Sequence, residues 1–219
     1  LAAFYQSGKQ ADFIGLPRTL AGFQLVYCIY CGLTYFIPIL NQIYMLPATA
    51  VGMYGIINQY GLKMIGGPIG GFMSDKVHKS AAKHIRVGFL VCAVAMAAFL
   101  MVPHEMLGQN GNWILGAVCT LGFGSIVFTM RAVFFAPMDE VKVPAEITGA
   151  AMSLASLVIY LPNTFAYVMY GSFLDRSPGM TGFRIVFSVI IGWAVIGLFV
   201  STFLIHRIKK HQISSTDNS

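Results

Sequence analysis

Charge is what this sequence has least of. Asp, Glu, Lys and Arg make up only 10 % of its 219 residues, against roughly 25 % in an average soluble domain. So few charges do not cover the surface of a soluble globular domain. Disorder is excluded on the same ground, because a disordered chain is polar and charge-rich. Cysteine is scarce as well: Cys28, Cys31, Cys92 and Cys119 all lie in apolar stretches. Cys28 and Cys31 form a CxxC without a second pair or a nearby histidine, so packing is favoured over zinc or redox chemistry and no disulfide framework is expected. No Ser/His/Asp or metal-ligand constellation shares a context, so neither an enzyme nor a cofactor is expected. The start lacks the basic region, short apolar core and cleavage site of a signal peptide. Opening on Leu1 in mid-pattern, the chain reads as a fragment of a longer protein.

What is abundant is apolar sequence, 57 % of the chain, and the length accommodates about six spans of ~20 residues. Thr19 to Leu62 carries no charge at all. It is too long for one helix and breaks near Asn41-Gln42 and Leu46-Pro47. The uncharged runs and their breaks predict spans at about 19–41, 49–74, 85–102, 113–135, 146–173 and 183–206. A segment at 1–18 precedes them, a polar connection at Gly108–Asn112 and a loop at Met138–Pro144 separate them, and a tail at 207–219 follows. The runs are continuous rather than alternating, which favours helices over an outer-membrane barrel. The expected fold is therefore an all-α polytopic membrane protein with the lipid bilayer as its solvent.

The formal charge is +6, but the basic residues flank apolar runs, so they read as orienting charges and not as a nucleic-acid surface. With an even number of spans, Lys9, Arg18, Lys76, Lys79, Lys83, Arg86, Lys142, Arg207, Lys209 and Lys210 share one face, and only Arg176 and Arg184 lie on the other. Ten against two places both ends on the cytoplasmic side. Gly71-Phe-Met-Ser-Asp75-Lys76 is echoed 100 residues later by Gly171-Ser-Phe-Leu-Asp175-Arg176. Each copy ends the second helix of a triplet, the pattern of a three-plus-three inverted repeat.

Gly71, Asp75, Lys76 and Lys79 resemble the signature loop of the major facilitator superfamily, Gly-x-x-x-Asp-Arg/Lys-x-Gly-Arg/Lys-Arg/Lys. His78 and Ser80 depart from it. The resemblance implies that the chain is helices seven to twelve of a twelve-helix transporter, half of a fold that works by alternating access around a central cavity. It also implies a conformational-switch role for Gly71, Asp75, Lys76 and Lys79. For Lys76, Lys79 and Lys83, orientation alone is the competing explanation. Asp139-Glu140, Pro144, Thr148-Gly149, Pro162 and Gly171-x-x-x-Asp175 more loosely resemble branches that move organic anions.

Lys63 is the sharpest single feature. It lies 12 residues before Asp75, roughly 18 Å along a helix, near the middle of a core about 30 Å thick. A charge there costs at least about 2.5–3.5 kcal/mol. The competing explanations are a cation meeting an anionic substrate, a buried ion pair, or a neutral lysine. Gln59, one turn earlier, and Asn58 offer hydrogen bonds to the same substrate. Arg131 closes the fourth span, where it suits the helix dipole or snorkels. A gate ion pair with Asp139, Glu140 or Glu146, or substrate contact, are its alternatives. Ser153, Ser156, Tyr160, Asn163 and Tyr167 step by 3 and 4 along one face of the fifth span, lining a cavity or bonding to another helix. Tyr27, Tyr30 and Thr34 share a face of the first span, as cavity lining or as packing. The glycines at 66, 67, 70 and 71 flank Pro68 and suit close helix contact and bending.

No acidic residue and no histidine lies mid-span, so a proton carrier is not visible. The function expected is secondary transport of a small polar, anionic organic solute (a sugar acid, sugar phosphate or carboxylate-like molecule). A missing six-helix half, or a second copy, would complete its cavity. A non-transporting receptor or assembly subunit is the chief alternative, ahead of a channel or a membrane enzyme.

Overall fold

The computed structural model describes residues 15–101, 108–133, 135–136 and 145–216, and these form helices and short turns. The order is α1 (Gly15–Leu33), α2 (Phe36–Gln42), α3 (Ala48–Ile56), a π-helical segment (Ile57–Gly61), α4 (Leu62–Phe72), a second π-helical segment (Met73–His78), α5 (Ala81–Met101), α6 (Gly108–Ala132), α7 (Ala145–Tyr160), α8 (Pro162–Arg176) and α9 (Met180–Thr216). There is no strand among the described residues.

Four stretches are long and apolar enough to cross a membrane: Leu20–Gln42, Ala81–Met101, Ala155–Arg176 and Met180–His206. They answer to the first, third, fifth and sixth expected spans. The expected fourth span contains a shorter apolar helix, Gly116–Ala132. The expected second is helical from Ala48 to His78, but its two π segments divide it into short α pieces. The molecule is an all-helical, polytopic membrane protein.

Three boundaries differ from expectation. The polar connection at Gly108–Asn112 is instead the first turn of α6. The sixth helix continues through the basic tail to Thr216. The third begins at Ala81, four residues early. Apolarity marks what lipid or protein covers, whereas Lys, Arg and Gln continue a helix readily outside that zone. The helix is interrupted just before Pro162. Leu161 is a turn residue, its N–H reaches back to the Val158 carbonyl at 3.3 Å, and Pro162 opens α8. Proline has no N–H and its ring crowds the carbonyl four residues back.

The core lies between α1, α2, α5, α6, α8 and α9, where Phe23, Phe36, Phe89, Phe183, Phe187 and Tyr170 are each under 2 % exposed. α9 packs along α5 and α1, and α4 packs along α6. The α4–α6 contact rests on Gly66 and Gly70. A Cβ on Gly66 would come within 2.8 Å of the Phe128 Cβ, and one on Gly70 within 2.6 Å of the Thr129 carbonyl oxygen. Gly67 and Gly71 face open space, so one of the two glycine pairs makes the contact. Polar ties join the helices elsewhere. The Tyr54 hydroxyl bonds to Thr120 Oγ1 at 2.6 Å, linking α3 to α6, and the Tyr170 hydroxyl donates to the Cys28 carbonyl at 3.2 Å, linking α8 to α1.

Candidate functional site

The site is built on α1. Tyr27 and Tyr30, three residues apart, lie side by side with ring centroids 5.3 Å apart and their planes tilted by 53°. The guanidinium carbon of Arg131, at the end of α6, lies 3.9 Å from the Tyr30 centroid and 5.3 Å from that of Tyr27. Phe128, one turn earlier on α6, meets the Tyr30 ring edge-on at 5.7 Å and fixes its plane. The Tyr30 hydroxyl donates to Gln59 Oε1 at 3.2 Å, which brings in the first π-helical segment. Tyr160, at the end of α7, completes the group with its ring at 5.1 Å and nearly perpendicular to Tyr27. Five residues anticipated from the sequence, on four helical segments, thus come together: Tyr27, Tyr30, Gln59, Arg131 and Tyr160.

Electrostatically the cluster is a cation held over tyrosine faces. Each ring face is the negative end of a quadrupole, and a desolvated cation there gains about 2 kcal/mol. Arg131 Nη1 is buried and has no hydrogen-bond partner among the described residues. The guanidinium therefore has one face stacked while part of its donor edge is unused. A planar fork of N–H donors matches the paired oxygens of a carboxylate or phosphate. Asp139 and Glu140, and the side chain of Glu146, the gate partners anticipated for Arg131, lie outside the described residues.

Lys63 is exposed. It lines an open concavity of about 520 Å³ together with Gln59, Tyr30, Tyr60, Val51 and Ile37. Tyr30 and Gln59 thus belong both to this concavity and to the arginine cluster. Asn58 goes elsewhere. It is fully buried with its amide atoms unpartnered among the described residues, and it faces Gly124 of α6, where a Cβ would meet Asn58 Oδ1 at 2.7 Å. It is not among the residues lining the concavity. Neighbouring positions on a helix point about 100° apart, so Gln59 and Asn58 do not share a face.

The remaining anticipated residues are scattered. Thr34, in the turn that follows α1, donates from Oγ1 back to the Cys31 carbonyl at 2.8 Å. Tyr167 lies in hydrogen-bonding reach of Thr34 and Cys31, forming a second polar group between α1 and α8. Ser156 Oγ turns back to the Met152 carbonyl at 2.9 Å. The side chain of Asn163 lies outside the described residues. Cys28 and Cys31 are both buried, and neither forms a disulfide. In the loop group, Asp75, Lys76 and Lys79 are exposed. Lys79 adopts a left-handed backbone, φ 53°, and its N–H caps the Ser74 carbonyl. A non-glycine residue there costs roughly 1–2 kcal/mol. The sequence reading missed one close pair, His78 with His84, because nothing in the sequence marks the turn that folds one onto the other.

No protein-family model matches the chain. No solved structure matches it. Among curated proteins it is 50 % identical over 187 residues to inner membrane protein YihN of Escherichia coli K12, covering 85 % of this chain and 44 % of the relative. It is 26 % identical over 185 residues to inner membrane protein YqcE of the same organism, covering 83 % of this chain and 42 % of the relative. The chain thus spans less than half the length of these relatives. Both names give a membrane and no activity. These findings correct the resemblance to the major facilitator superfamily: the loop motif is a handful of matched residues, no family model extends it over the chain, and the relatives do not bear that family's name. What the apolar helices and the relatives jointly support is a multi-pass protein of the inner membrane.

Proposed function

We propose that this chain is part of a secondary transporter that carries a small anionic organic solute across the inner membrane by alternating access. The observation behind the reading is Arg131, stacked on Tyr30 at 3.9 Å with Nη1 buried and unpartnered among the described residues. A cation within a membrane helix costs at least about 2.5–3.5 kcal/mol. Stacking on an aromatic returns about 0.5–1 kcal/mol at an exposed site and about 2 kcal/mol at a desolvated one. An anion on the free edge of the guanidinium supplies the difference, and a solute bound only part of the time suits carriage better than a permanent ion pair. Lys63 and Gln59, on the adjoining concavity, would draw the anion in and hydrogen-bond its polar groups.

In this reading the divided helix Ala48–His78 and α6 are the second and fourth of six spans, arranged as inverted triplets with both ends cytoplasmic. A further half of the protein, or a second copy, closes the cavity, in keeping with relatives more than twice as long as the matched segment. The chemistry is binding and release without catalysis or a cofactor, as symport or antiport.

The test is counterflow by the full-length protein in proteoliposomes against a panel of sugar acids, sugar phosphates and carboxylates. Saturable uptake of an anion by the unaltered protein, lost in Arg131→Ala and weakened in Arg131→Lys, is the expected result. Uptake with unaltered affinity in Arg131→Ala overturns the role of that residue. Binding of an anion without flux favours a receptor over a transporter.

A further inference from the structure

A second polar site lies apart from the arginine cluster, where the second π-helical segment meets α5. His78 Nδ1 is 3.2 Å from His84 Nδ1 and 3.1 Å from the Met73 carbonyl oxygen. The rings are 5.1 Å apart between centroids. His84 is 3 % exposed, and its Nε2 is buried without a partner among the described residues. Both histidines line a cavity of about 300 Å³ between α4, α5 and α6, whose other walls include Met73, Ser125 and Thr129.

Two Nδ1 atoms at this separation hold one hydrogen between them. With one N–H, a donor meets a lone pair. An imidazolium carries hydrogen on both ring nitrogens, so when both rings are charged two N–H groups confront each other and the contact breaks. With His78 as donor, its Nδ1–H is shared between His84 Nδ1 and the Met73 carbonyl. The arrangement therefore accommodates the neutral pair and the singly charged pair, and excludes the doubly charged one.

Among the described residues, no other ionisable side chain lines the cavity. α6 presents Ser125, Ile126 and Thr129 to it, and α4 presents Leu62, Ile65 and Ile69. On the histidines' own elements, Asp75, Lys76 and Lys79 are exposed and Lys83 and Arg86 are half-buried. α9, packed against Ala82 through Leu204 and Ile205, carries an exposed His206 next to that contact. The segment attached to the pair departs from regular α-helix: it is π-helical from Met73 to His78, and it closes on a left-handed Lys79 whose N–H, like that of Ser80, reaches the Ser74 carbonyl. π-helical turns of this kind concentrate at functional sites.

We propose that His78 and His84 form a proton-binding site: the pair keeps the Met73–Ser80 turn closed while it holds no more than one excess proton, and a second proton, taken from water, parts the rings and opens the turn. The inference is independent of the transport reading, and its test needs no substrate.

A cysteine replaces Val77, which is 59 % exposed on the turn, in the full-length protein in detergent, and a second replaces the exposed Thr202 as an internal reference. Methanethiosulfonate labelling at both sites is followed by peptide mass spectrometry, so the ratio of rates removes the common effect of pH on thiolate. The ratio should rise about threefold or more between pH 8 and pH 5, as the open turn gains population. It should stay flat in His84→Gln and in His78→Gln, the second chosen because His78 is half-buried and its loss leaves the core intact. A flat ratio in the protein with both histidines overturns the proposal. So does a rise that persists in both glutamine variants, or a ratio that follows added zinc and chelator instead of pH.

Discussion

Lys63 and Arg131 are the two basic residues that the sequence sets inside apolar helices, and the bundle treats them in opposite ways. Lys63 stands exposed on the rim of an open concavity, whereas Arg131 is folded beneath two tyrosines with a terminal nitrogen sealed from solvent. Distance along a helix is readable from residue count, and it makes Lys63 look deeper. Distance from solvent depends on which neighbour covers which face. Side-chain chemistry follows from that setting. An ammonium on a flexible stem keeps its hydration at an open surface, whereas a flat, weakly hydrated guanidinium can stack on rings and retain its in-plane donors. Under the proposed transport reading, the residue that the sequence ranks second is therefore the better placed of the two to hold an anion.

The largest expected effect tests that ranking directly. With any anionic solute that the full-length protein takes up, Arg131→Ala should weaken apparent affinity about 10- to 100-fold, roughly 1.4–2.8 kcal/mol. Lys63→Ala should weaken it only a few-fold, because an exposed charge acts through a high dielectric. Salt sharpens the contrast: raising ionic strength from 0.01 M to 0.15 M shortens the screening length from about 30 Å to about 8 Å. The contribution of Lys63 should fade over that range while that of Arg131 holds. Equal losses in the two variants at all salt concentrations would dissolve the distinction.

Next in size is the contact that sets α4 on α6 and so positions Gln59 and Lys63 relative to Arg131. Gly70→Val inserts a branched side chain where even a Cβ would lie 2.6 Å from a backbone oxygen. Overpacking of this kind costs about 1–3 kcal/mol, read as a lower midpoint of thermal unfolding in detergent. Gly71→Val, facing open space on the same helix, should shift the midpoint far less. Comparable losses at both positions would mean that α4 seats on α6 by something other than its glycine face.

This pair of glycines also shows what was legible in advance. Spans at about 19–41, 85–102, 146–173 and 183–206 follow from apolar length, each overlapping a long apolar helix of the structure, and the break at Pro162 follows from proline's missing N–H. The glycine cluster announces a close contact, yet Gly66 and Gly67 have the same neighbours in sequence terms, and only packing tells which pair touches α6. The same holds for the site. Spacing puts Tyr27 with Tyr30 and Gln59 with Lys63, because helical periodicity is local information. That the end of α6 would lay Arg131 over Tyr30, or that a left-handed Lys79 would turn His78 onto His84, depends on tertiary arrangement and on a backbone state for which glycine is the usual sign. Asn58 shows the reverse error: a polar residue beside Gln59 reads as a partner in binding, but it points into the α6 contact at Gly124.

The smallest effect falls on Tyr30, the residue shared by both cationic neighbourhoods. Its ring carries Arg131 at 3.9 Å, while its hydroxyl, 3.2 Å from Gln59 Oε1, ties the cluster to the concavity that Lys63 lines. Tyr30→Phe separates the two functions, keeping the ring and removing the donor. The lost hydrogen bond contributes about 0.5–1.5 kcal/mol, part of which Gln59 recovers by turning to water in the open concavity. Solute affinity should therefore fall less than about threefold, close to 0.65 kcal/mol, with unfolding nearly unchanged. Tyr30→Leu, which removes the face beneath the guanidinium as well, should approach the loss seen in Arg131→Ala. If phenylalanine and leucine weaken binding alike, the hydroxyl is what orders the site, and Lys63 and Arg131 act through one hydrogen-bonded network instead of as an exposed and a stacked cation.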